Sequence, residues 1–82
     1  MMNEVDAEKI GISIELIKQY INDSSVDPVI VLLESLQQDP SNEALRKQLA
    51  KTLKGLGIIQ GAVLTYAPYV AILVSIDLFE DM

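Results

Sequence analysis

From residue 55 to residue 76 the chain runs for twenty-two residues without one charged side chain. A stretch this long and this apolar has to be taken out of water. It can be buried as core elements of its own domain, covered by another chain, or placed in a bilayer, which needs about 20 consecutive apolar residues. All six basic residues precede the stretch, and four of them, Arg46, Lys47, Lys51 and Lys54, fall within nine positions. Asp77, Glu80 and Asp81 follow it. Cations before an apolar run and acids after it give the order of a tail anchor with its basic side in the cytoplasm. Gln60, Thr65, Pro68 and Ser75 interrupt the run. The preferred reading is therefore a pair of buried core elements broken at Pro68, with membrane association as the alternative.

The rest of the composition narrows the chemistry. Eighty-two residues make one domain, 1–82, with no room for a second core. Half the residues are apolar, too many for a disordered chain. The chain has neither Cys nor His, so a disulfide framework, a thiolate nucleophile and the commonest general base and zinc ligand are all excluded. No metal, cofactor or catalytic site is expected, and an enzyme is the least expected outcome. A net charge of −6 argues against nucleic acid, whose binding needs a surface lined by Lys and Arg. The polar, acidic start of the chain predicts no signal peptide, and the absence of cysteine fits a cytoplasmic setting.

Hydrophobic spacing predicts helices. Ile10, Ile14, Ile17 and Ile21 recur on one helical face within residues 6–22. Gly11 weakens the start of that segment and makes Ser13 a candidate N-cap. Asp23-Ser24-Ser25 is a turn cluster. Asp27-Pro28 reads as N-cap and first residue of a helix over 29–38, which Asp39-Pro40 stops. Ser41 is the expected cap of a third helix with Glu43 in its first turn. There Leu45, Leu49, Leu53 and Leu56 form the buried stripe, and Lys47, Lys51 and Lys54 the wet face. Gly55 and Gly57 end it. Residues 58–66 and 68–80 are less determined. Tyr66-Ala67-Pro68-Tyr69 is either a break between two helices, the preferred reading, or a hairpin turn between two strands.

Two segments carry resemblances to known families. Asp39-Pro40-Ser41-Asn42 looks like the turn between tetratricopeptide repeats. Leu49, Ala50, Leu53, Gly57, Ala62 and Tyr66 fall at that family's small, large and turn positions. The resemblance implies a helical hairpin in which Ala50 and Ala62 let the two backbones approach and Tyr66 fills the groove. Residues 33–48, with Pro40-Ser41-Asn42, are also similar to small type III secretion needle subunits, which are helical hairpins of this size.

These observations predict an all-α bundle of four or five short helices acting as a non-catalytic protein-interaction or regulatory module. It would engage a protein partner or self-associate. The alternatives are a tail-anchored protein and a secretion-apparatus hairpin or chaperone. Candidate interaction residues are Lys47, Lys51, Lys54, Tyr66, Tyr69, Val70 and Leu73. Of Val70 and Leu73, one is expected at an intermolecular face and the other in the core.

Overall fold

A computed structural model describes the backbone of residues 6–79 and the side chains through residue 74. Glu80 and Asp81, read above as part of the acidic end, lie outside the described residues. Five α-helices follow one another: α1 (Ala7–Tyr20), α2 (Asp27–Gln38), α3 (Glu43–Lys54), α4 (Ile58–Tyr66) and α5 (Pro68–Phe79), with a 3₁₀ turn, Ser24–Val26, between α1 and α2. The all-α class and the small bundle of short helices agree with the sequence. Both residue spans on either side of Ala67 are helical, so the strand alternative for them does not hold.

The helix ends show how local chemistry sets these boundaries. α1 is capped by Asp6, whose carboxylate accepts from the Glu8 and Lys9 N–H groups at 2.9 and 3.4 Å. Ser13 is not the cap. It sits one and a half turns into the helix, buried among the isoleucines, and its hydroxyl donates to the Lys9 carbonyl at 3.0 Å. That bond to the preceding turn satisfies a polar group that burial would otherwise penalise. Gly11 is tolerated because α2 uses the space. A Cβ there would lie 2.7 Å from Gln37 Nε2, which reaches past to donate to the Ala7 carbonyl at 3.4 Å.

Two further caps move by one residue from their expected places. Asp27 is the first residue of α2 rather than its cap, following directly on the 3₁₀ turn, with Pro28 in the first helical turn. Asn42, not Ser41, caps α3 by accepting from the Leu45 N–H at 3.1 Å. Its amide also donates to Asp39 Oδ2 at 3.1 Å, which ties off the turn. Gly57 has φ of 64°, a backbone state that a side chain disfavours. It redirects the chain between α3 and α4. Ala67 closes α4 with its ψ at 71°, out of the helical range, as the following proline requires.

The pairing of elements buries part of the uncharged stretch. α1 packs on α2, α2 on α3, and α5 lies against α3, α4 and α1. α5 thus meets neighbours on several sides, and a charge at Val70, Leu73 or Val74 would be stranded without water, whereas Ile72 on the outer side is 67% exposed. Val70, Leu73 and Val74 of α5 join Ile10, Ile14 and Ile17 of α1, Val29, Leu33 and Leu36 of α2, and Leu49 and Leu53 of α3 in one core. Leu45 and Leu56 are partly buried against it. The division at Ala67-Pro68 leaves helices of nine and twelve residues. Among the described residues, no helix is long and apolar enough to cross a membrane.

Leu49 is fully buried, so Leu49→Ala should cost about 2–5 kcal/mol, a large fraction of the stability of so small a domain. Gly61, inside α4, faces open space. Gly61→Ala should therefore raise stability by about 1 kcal/mol through helix propensity alone. Urea titrations of the two variants beside wild type give both signs.

Candidate functional site

Three surface features arise from this packing. The first is the basic face of α3. Lys47, Lys51 and Lys54 recur at i, i+4 and i+7, and all three are exposed. Arg46 does not join them. It is half-buried on the flank of the helix, with its guanidinium 3.9 Å from the Glu43 carboxylate one turn earlier. A neighbouring stripe on α2 has the opposite sign: Asp27 and Glu34 are exposed at i and i+7, and Val31, 58% exposed, lies between them.

The second feature is an apolar ridge. On α1, Ile12 (54% exposed), Leu16 (half-buried) and Tyr20 (53% exposed) stand at i, i+4 and i+8, a line of about 12 Å along the helix. Tyr66 at the end of α4 extends it. The Tyr20 and Tyr66 rings stack with centroids 5.1 Å apart and planes 11° from parallel, and Tyr66 stays 45% exposed. Here α3 packs chiefly on α2 and α5, and Tyr66 turns to α1.

The third is an open groove of about 320 Å³ where α1 gives way to α2. It is lined by Lys18, Ile21, Asp23, Val26, Asp27 and Ile30, among others. One ammonium and two carboxylates stand over an apolar floor. Asp23 is partly engaged already: its carboxylate accepts from the Ser25 N–H at 2.8 Å. That bond, with help from the Ser25 hydroxyl, holds its pKa below the ordinary carboxylate value. Among the described residues, no three metal-ligating side chains converge.

The other candidate residues take structural places. Tyr69 clamps the start of α1: its phenol oxygen accepts from the Asp6 N–H at 2.8 Å, and the Lys9 ammonium lies 5.7 Å from its ring centre. Val70 and Leu73 are both buried in the core of the single chain. They cannot divide between core and interface as expected. Three residues apart on a helix, they share one face, and that face meets the core. The ridge was not singled out from the sequence. The i, i+4, i+8 spacing of Ile12, Leu16 and Tyr20 was the available signal, hidden beside the stronger isoleucine series. Comparison of the chain with protein-family models, with curated proteins and with solved structures found no match.

The Asp23 cap gives a pH dependence whose sign is fixed. A carboxylate held below its unfolded pKa stabilises the fold at neutral pH. That contribution begins to fade near the unfolded value and is lost as pH falls through the folded one. Asp23→Ala should accordingly melt below wild type at about pH 7, with the gap closing in acid. Thermal melts across that range measure it.

Proposed function

We propose that this domain acts by contact rather than by catalysis, as a small protein-interaction module whose binding surface is the ridge of Ile12, Leu16, Tyr20 and Tyr66. The observation that supports this reading is the stacked, half-exposed tyrosine pair at the end of an apolar line. Exposed aromatic side chains lose little conformational freedom on binding and bring a large apolar area with a polar tip. They are over-represented among the residues that dominate interface energies. No charge interrupts the ridge on its α4 side, because α4 carries none. An apolar face of a partner therefore need not strip water from an ion to reach it. A cytoplasmic setting belongs to the same proposal and is supported by the acidic, cysteine-free composition.

A photo-activated cross-linker placed at Ile12 in living cells should give discrete protein adducts. Tyr20→Ser should reduce them by on the order of tenfold, while circular dichroism shows the helices retained. Absence of adducts, or adducts indifferent to Tyr20, would remove the ridge from the account of function.

A further inference from the structure

The α2 and α3 stripes point to a second surface, on helices different from those that form the ridge. α2 and α3 pack on each other and are joined by the turn at residues 39–42. A connection this short makes neighbouring helices antiparallel, so residues equally far from the turn lie at the same height. By that count Glu34 is level with Lys47, and Asp27 is level with Lys54. The acidic and the basic residues, all exposed, thus stand at matching heights on two helices that pack on each other. Glu34 and Lys47 are both exposed, and among the described residues they make no ion pair. Between the acidic positions Val31 is exposed, an apolar side chain with Lys51 one residue, about 1.5 Å, from its level on the neighbouring helix.

We propose that this face binds a second copy of the chain, with α2 of each protomer laid on α3 of the other. The argument is charge complementarity under symmetry. A two-fold axis along the helices, between the stripes, exchanges the two helices and keeps the height of every residue. It carries Glu34 onto Lys47 of the partner subunit and Asp27 onto Lys54 of the partner subunit, and each contact occurs twice. An isologous interface needs a self-complementary patch, and an acidic stripe beside a basic one in register is such a patch. The aliphatic stem of Lys51 would cover Val31 while its ammonium stays in water. Elsewhere two chains of net charge −6 repel, so the basic stripe also selects which faces meet.

The test is a charge swap read by sedimentation over a range of concentrations. Wild type should form dimers. Glu34→Lys alone and Lys47→Glu alone should each weaken association by on the order of tenfold, because each puts like charges opposite one another twice. An equal mixture of the two variants, and the chain carrying both changes, should recover it. The neutral variants Glu34→Gln and Lys47→Gln, run beside them, should weaken association less and keep the test decisive if a reversal disturbs folding. A wild-type chain that stays monomeric at high concentration overturns the proposal. So does a dimer indifferent to all these changes, or one that neither the mixture nor the double variant restores. Ridge binding, which depends on Ile12 and Tyr20, can survive either failure.

Discussion

The packing of α5 against α1 and α3 is the interaction on which the rest of the molecule depends. Each of the first three helices offers one apolar face, and those of α1 and α3 are not closed by their sequence neighbours alone. Val70, Leu73 and Val74 supply the missing wall. That wall is uncharged because its side chains are buried, where an ion would have no water. The short α4, with Gly57 before it and Pro68 after it, serves to turn the chain so that α5 can enter.

The fold was legible where one physical demand outweighed the others. The isoleucine face of α1 and the Leu49 and Leu53 stripe of α3 are long enough for periodicity to decide. Helix starts were less legible, because Ser, Asp and Asn cap about equally well. What separated Asp6 from Ser13, and Asn42 from Ser41, was the tertiary context. Ser13 lies under the core face, and Asn42 bonds Asp39 as well as the helix end. The interaction surfaces were least legible. In α5 no side chain is charged through residue 74, so composition could not say which of them point inward. The helical spacing of Val70 and Leu73 did carry that information. The ridge needed the position of α4 relative to α1, which no local pattern encodes.

Charge is therefore sorted by layer more than by sequence position. The core and α4 exclude it, the outer faces of α2 and α3 concentrate it in stripes of opposite sign, and the ridge of α1 lacks it. A small domain with limited surface presents in this way two regions of different physical character. One favours apolar contact, which is non-directional. The other favours ionic contact, in which register and sign discriminate between orientations.

The bond from the Asp6 N–H to the Tyr69 phenol spans 63 positions of the chain, and it marks how late the first helix meets its last partner. At synthesis rates of about 5–20 residues per second, Asp6 is made on the order of 3–12 s before Tyr69. Through that interval Ile10, Ile14 and Ile17 have only α2 and its neighbours for cover. The nascent domain thus passes through a stage in which its oldest helix presents an oily flank to the cell, and ribosome-side chaperones or premature clumping compete with the arrival of the final helix. A codon change that slowed translation between the third helix and the fifth would lengthen that exposure without altering a single contact in the finished protein.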